Sequence, residues 1–252
     1  MAFPHVHIPF GKIEEHLDLL VKHGFNLEIY FDSDTIDRLE ADSLLKMKES
    51  LTHKPLISIH APFMDLSPAA VDSRIRDATI FRLNQVLDIA DILRPLSIVC
   101  HSGYEKWKYS LNIDLWLKKS LETWKPVVVR AKSSGCKIAI ENIFEDEPSN
   151  LRELMKEMAS DHFGICFDTG HCNLFTTVPV HRWIEDLGDY IVELHLHDND
   201  KSADQHHPIG DGTFDFDNFF QLLKKRDCIY TIEAHTPARV LKSIERLKKY
   251  TG

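Results

Sequence analysis

No apolar run in the 252-residue chain approaches the ~20 residues that a membrane-spanning helix needs. The N-terminal stretch Met-Ala-Phe-Pro-His-Val-His-Ile-Pro has no basic segment followed by an apolar one, so no secretory leader is expected. Gly/Ser-rich linkers, charged tails, low-complexity tracts and long internal repeats are absent, which leaves one domain over residues 1–252 as the expectation. Cysteine is sparse and odd in number (Cys100, Cys136, Cys166, Cys172 and Cys228), with no CxxC pair. That pattern argues against a disulfide framework and for reduced thiols in the cytoplasm; Cys100 and Cys172 read as small buried thiols. Positive charge is also short: 30 Lys and Arg face 39 Asp and Glu, for a net charge of −9 with 15 His left neutral. An acidic chain does not bind nucleic acid through non-specific attraction unless bound divalent cations offset its charge.

What is present is an alternation of strand-like and helix-like segments. Strands are expected at Phe3 to Ile8, Leu27 to Phe31, Leu56 to His60, Ser97 to His101, Lys137 to Asn142, Gly164 to Phe167, from Ile191, and Ile229 to Glu233. Helices are expected at Ile13 to Lys22, Asp34 to Ser50, Asp72 to Leu93, Asn112 to Ser133, after Pro148, Val180 to Leu187, Asp217 to Lys225 and Pro237 to Tyr250. Asp34 reads as a helix cap, and Pro126 is expected to kink or split its helix. Eight β/α units in about 250 residues predict a single (β/α)8 TIM barrel.

The ends of these strands carry the chemistry. They finish at His60, His101, Glu141, Asp168 with His171 just beyond, His195 with Asp204 and His206 in its loop, and Glu233. A barrel gathers all of these on one rim. Carboxylates crowded there would repel one another and be costly to desolvate, and divalent cations remove both problems. Oxygen and nitrogen donors without Cys favour Zn, Mn, Mg or Co over iron–sulfur chemistry. Other polar residues take lesser roles. His5 and His7 lie on the first strand, and one of them is expected to point into the barrel. Glu28 reads as a group behind the ligands, and His197 and Asp198 as orienting or loop-closing residues. His207, beside Pro208, reads as turn structure or a substrate contact.

The ordered runs His60-Ala-Pro-Phe, His101-Ser-Gly, Glu141-Asn, Phe167-Asp-Thr-Gly-His171, His195-Leu-His-Asp, Asp204-Gln-His206-His-Pro-Ile-Gly-Asp-Gly and Glu233 resemble the xylose isomerase-like TIM-barrel superfamily. That superfamily contains sugar and sugar-phosphate isomerases and epimerases, and also endonuclease IV, the apurinic-site nuclease. Resemblance to the epimerases implies one divalent ion on Glu141, Asp168, His195 and Glu233. Resemblance to the nuclease implies three zinc ions. His60 and His101 would then hold the first, with Glu141 bridging; Asp168, His195 and Glu233 the second; and His171, Asp204 and His206 the third. The His60-Ala-Pro-Phe63 loop departs from the nuclease, which has a Tyr near that point.

The resemblance implies an isomerase or epimerase of a sugar or sugar phosphate, with one to three divalent ions, Zn or Mn first. Glu141 and Glu233 would exchange a proton beside a polarised carbonyl, with His171 and Lys201 orienting hydroxyls. Phe63, Tyr104 and Trp107 would form an apolar wall, and His207 would contact substrate. Arg74, Arg76, Lys106, Lys108 and Lys201 could meet one small phosphate or carboxylate, but no basic stripe suits duplex DNA. The alternatives are a trinuclear zinc phosphodiesterase and a non-catalytic sugar-binding barrel; the paired Glu141 and Glu233 weigh against the latter.

Overall fold

The computed structural model describes residues 4–224 and 227–251. Phe3, expected to open the first strand, and Lys225, expected to end a helix, lie outside the described residues. The elements run β1 His5–Pro9, α1 Ile13–His23, β2 Asn26–Tyr30, α2 Ser33–Arg38, α3 Ala41–Ser50, β3 Ile57–His60, α4 Ser73–Leu93, β4 Ser97–His101 and α5 Ile113–Ser134. They continue β5 Lys137–Glu141, α6 Ser149–Met158, β6 Phe163–Asp168, α7 Thr169–Phe175, α8 Val180–Leu187, β7 Ile191–Leu196, α9 Phe216–Leu223, β8 Ile229–Ile232 and α10 Pro237–Thr251. The eight strands pair in parallel and in chain order, and β8 closes on β1, giving the expected (β/α)8 barrel.

Side-chain alternation explains the layering. Leu27 and Ile29 turn outward under the helices and are fully buried, while Glu28 between them turns into the barrel and is buried too. Burying an aliphatic side chain of this size stabilises by about 1.5–3 kcal/mol. Trp116, Trp124 and Trp183 fill the outer layer between sheet and helices. α1 stops at Gly24, whose φ of 65° is the left-handed cap that ends many helices.

Three local expectations are corrected. The helix expected over Asp34 to Ser50 is two helices, α2 and α3, because Leu39 and Glu40 are extended. Its cap is Asp32, whose side chain accepts from Thr35 N at 2.6 Å, and not Asp34. Pro126 does not split α5. Pro126 and Glu122, the residue whose carbonyl it leaves unpaired, both lie on the exposed face, where water can satisfy that carbonyl. α7 is an additional element beyond the expected ones. It starts at once after β6 because the Asp168 side chain accepts from His171 N at 2.6 Å.

A bulge in β7 sets the aim of its later side chains. Ile165 pairs with Ile191 but Cys166 with Glu193, so Val192 is the extra residue. Gly164 makes the room, since a Cβ there would stand 2.7 Å from Val192 Cγ1.

Beyond the bulge, Glu193 enters a polar layer inside the barrel. Hydroxyls of Ser97, Thr231 and Ser58 donate to its carboxyl at 2.5, 2.7 and 3.2 Å. Burial, then the nearby charge of Glu28, pushes Glu193 up to about 8 from 4.5, so it is a neutral acid at pH 7. The folded state thus keeps a proton that the unfolded chain loses. This contribution is complete below the unfolded value of 4.5 and is lost as pH rises through about 8. A shift of that size is worth up to about 5 kcal/mol. Urea unfolding between about pH 5 and pH 9 should therefore show an alkaline loss of stability that Glu193→Gln largely removes. An unchanged pH slope in the variant would contradict a neutral Glu193.

Candidate metal centre

Parallel strands bring their C-terminal residues to one rim, and here that rim is a continuous cluster of imidazoles and carboxylates. Glu141, closing β5, is its centre. Its Oε2 lies 3.2 Å from His60 Nε2 and 3.4 Å from His101 Nε2. Its Oε1 lies 3.1 Å from His171 Nδ1 and 3.5 Å from His195 Nδ1. His195 Nδ1 is also 3.4 Å from Glu233 Oε1 and 3.8 Å from Asp168 Oδ2. Farther out, Asp204 Oδ2 stands 3.4 Å from His171 Nε2 and 3.0 Å from His206 Nε2. All nine residues expected from the strand ends come together.

The donor chemistry suits cations. His60 Nδ1 donates to the Ala61 carbonyl at 2.9 Å, which leaves Nε2 facing Glu141. A bare imidazole nitrogen against a carboxylate needs a proton or a metal ion between them. The Nδ1 atoms of His171, His195 and His197 are buried and make no hydrogen bond. Tetrahedral ligands at zinc bond lengths stand about 3.3 Å apart, close to the spacings around His195 Nδ1. The residues therefore fit a bound divalent cation. Without one, burial opposes ionisation of Glu141, yet the charges of His195 and His101 hold it well below the ordinary carboxylate range. Burial likewise opposes the charge of His171, but Asp168, Asp204 and Glu141 raise it well above its ordinary value. The imidazoles of His195, His7 and His206 hold Glu233 down to about 2 despite its burial.

The loop after β7 is built around Asp198. Its Oδ2 accepts from Gly210 N at 3.1 Å and Gly212 N at 2.9 Å, and its Oδ1 from Phe214 N at 3.1 Å. Its backbone pairs with His207 in both directions, at 2.8 and 2.9 Å. These bonds close the loop that carries Asp204 and His206. Asp198→Asn should lose at least two charge-assisted bonds, roughly 3 kcal/mol at about 1.5 kcal/mol each. Lower metal content at unchanged secondary structure would be the accompanying sign, read by elemental analysis and circular dichroism.

A cavity of about 1280 Å³ opens over the cluster. Phe63 and Tyr104 line it, and Phe63 stacks on His101 with ring centroids 4.3 Å apart. Trp107, Lys201 and His207 do not line it. Trp107 is 74% exposed on the surface, Lys201 is exposed, and His207 is engaged with Asp198. Of the five cations considered for an anionic group, only Lys108 lines the cavity, donating to Ser67 Oγ at 3.0 Å. Arg76 pairs with Glu122 at 3.0 Å and Lys106 with Asp146 at 2.6 Å.

Four residues contribute more than the sequence indicated. His197 is fully buried, its Nε2 3.0 Å from Asp168 Oδ2, and its ring stacks on His206 at 4.0 Å. Strand alternation, which puts residues 195 and 197 on one face, was the available signal. His235 stacks on the other side of His206 at 4.7 Å. His7 Nδ1 lies 2.8 Å from Glu28 and 3.1 Å from Glu233, and Glu28 reaches His195. A charge within the apolar run Leu27-Glu28-Ile29 was its mark. None of the five cysteines is in a disulfide, and Cys100, Cys136, Cys166 and Cys172 are buried. Among the described residues, no helix is long and apolar enough to cross a membrane.

Fold and rim together define a (β/α)8 barrel with a cluster of imidazoles and carboxylates, side chains able to hold a metal ion, at the C-terminal ends of its strands. Residues 17–250 match the xylose isomerase-like TIM barrel family, and the chain belongs to it. An uncharacterized Methanocaldococcus jannaschii protein, MJ1311, is 31% identical over 77% of this chain and 69% of its own. The crystal structure of a D-tagatose 3-epimerase-like protein superposes with a TM-score of 0.84 at 26% identity, covering 98% of this chain and 97% of that one. The TTHB071 protein of Thermus thermophilus, soaked with zinc chloride, gives 0.81 at 25% identity, covering 99% and 98%.

Proposed function

We propose that the chain is a divalent-metal-dependent isomerase or epimerase acting on a sugar or sugar phosphate. The observation that carries this reading is the buried His195 Nδ1, without a hydrogen bond and facing one oxygen each of Glu141, Asp168 and Glu233. Likeness to an epimerase-like protein supports the substrate class, and the zinc-soaked relative supports a divalent ion, Zn or Mn first. Held by Glu141, Asp168, His195 and Glu233, such an ion would polarise a substrate carbonyl and acidify the adjacent C–H.

The protein's own groups do the rest. Glu141 and Glu233 approach from β5 and β8, on well-separated sides of the ring. One carboxylate removes the proton and the other returns it to the chosen face. His171, whose Nε2 faces outward to Asp204, is placed to orient a hydroxyl. Phe63 and Tyr104 restrict water at the wall of the cavity. Incubation of the metal-loaded protein with a panel of ketoses, aldoses and their phosphates in deuterium oxide tests this reading. One of them should gain deuterium at carbon; no exchange across the panel would remove the proposal.

The second reading is a trinuclear zinc phosphodiesterase. It is favoured by the further groupings of His60, His101 and Glu141, and of His171, Asp204 and His206, beside the first site. Among the described residues, Lys12 and Lys108 are the cations that line the cavity, and Lys12 pairs with Glu15 at 2.8 Å, which leaves little for a DNA backbone. Elemental analysis separates the readings. About one ion per chain favours the isomerase, whereas about three zinc ions with cleavage of abasic duplex favour the hydrolase.

A further inference from the structure

The two nitrogens of His195 meet different surroundings. Nδ1 faces Glu141, Asp168 and Glu233 and makes no hydrogen bond. Nε2 points the other way and lies 3.0 Å from Glu28 Oε2. Glu28 sits in the middle of β2, fully buried, and its other oxygen lies 2.8 Å from His7 Nδ1. His7 Nδ1 is in turn 3.1 Å from Glu233 Oε1. One carboxylate thus spans β1 and β7 from inside the barrel and touches no open part of the cavity.

We propose that Glu28 is a positioning residue that fixes His195 with its proton on Nε2, so that the Nδ1 lone pair is presented to the carboxylate cluster. An ionised carboxylate accepts and cannot donate, so an imidazole nitrogen facing it at 3.0 Å carries the hydrogen. A neutral imidazole holds one proton, and placing it on Nε2 leaves Nδ1 bare. The bond also fixes the ring plane and raises the basicity of the free nitrogen. By accepting from His7 as well, Glu28 ties the β1 side of the rim to the same arrangement, next to Glu233. Burial of Glu28 is costly on its own, and two imidazole N–H groups are what offset it.

This inference rests on the proposal that His195 holds a metal ion, and its test separates the two. Zinc affinity is measured by chelator competition for the wild type, Glu28→Gln and Glu28→Asp. Long-range proton–nitrogen correlation spectra locate the His195 ring proton in the zinc-loaded wild type. The expected proton is on Nε2, shifted downfield by the carboxylate. Glu28→Gln should weaken zinc binding by about 10–100-fold and move that resonance upfield, with Glu28→Asp recovering part of both. A bare Nε2 in the wild type overturns the proposal, as does a Glu28→Gln protein that binds zinc as the wild type does with the resonance unmoved. If Glu28→Gln does not fold, the wild-type spectrum alone decides. If the wild type takes up no zinc, the metal reading fails while the metal-free spectrum, taken at a pH where the His195 ring is neutral, still decides this one: a proton on Nε2 against Glu28 supports it, and a bare Nε2 overturns it.

Discussion

Glu233→Gln should lower solvent-deuterium incorporation into the substrate by about 10²–10⁴-fold, the usual contribution of a placed general acid or base. The amide keeps the size of the side chain and an oxygen that can face His195 Nδ1, but it cannot take up a proton. In protein that retains its metal the loss should appear in kcat, because a group used in the transition state is removed. Glu141→Gln should be as severe, and either substitution should also weaken metal binding, because both carboxylates are proposed ligands. Glu141 faces four imidazoles, of His60, His101, His171 and His195, and Glu233 faces those of His7, His195, His197 and His206. Elemental analysis run beside the exchange assay separates the two effects. A Glu233→Gln protein that retains its metal and exchanges at the native rate would remove Glu233 from the chemistry, and with it the two-carboxylate mechanism.

Much of this cluster could be read from the chain because a parallel barrel turns a sequence pattern into a place. Each of His60, His101, Glu141, Asp168 and Glu233 follows an apolar run, and strands of one barrel end on one rim. Asp204 and His206 were legible for another reason: they lie in a short loop ended by Gly210 and Gly212, whose N–H groups Asp198 collects. What the chain did not disclose depends on contacts between strands. Glu28 and His195 are 167 residues apart, and nothing local to either names the other. The bulge at Val192 is a matter of pairing register, which composition does not encode. Lys201 and Trp107 sit close to site residues in sequence, yet both are exposed and neither lines the cavity. Lys201 has a φ of 69° in a turn whose N–H is held by Asn199 Oδ1 at 3.1 Å.

Gly170→Ala should disable the same rim by sterics alone. A Cβ at this position would stand 2.0 Å from Cε1 and 2.4 Å from Nδ1 of His197, inside any tolerated contact. The ring has nowhere to go: it stacks on His206 at 4.0 Å, and its Nε2 holds Asp168 Oδ2 at 3.0 Å. α7 cannot easily recede, because the Gly170 carbonyl accepts from Asn199 Nδ2 at 2.7 Å and the Asp168 carboxylate caps its first turn. The added methyl should therefore cost about 3 kcal/mol, the upper part of the range for overpacking. It should also release Asp168 and lower both metal content and turnover. The double variant Gly170→Ala with His197→Ala supplies the control. Removing the imidazole relieves the clash, so the pair should be more stable than the two single losses added together, by about 1–3 kcal/mol. Strict additivity in that cycle would mean that Gly170 and His197 do not touch, and that the glycine of the Asp-Thr-Gly-His run is there for some reason other than the imidazole packed against it.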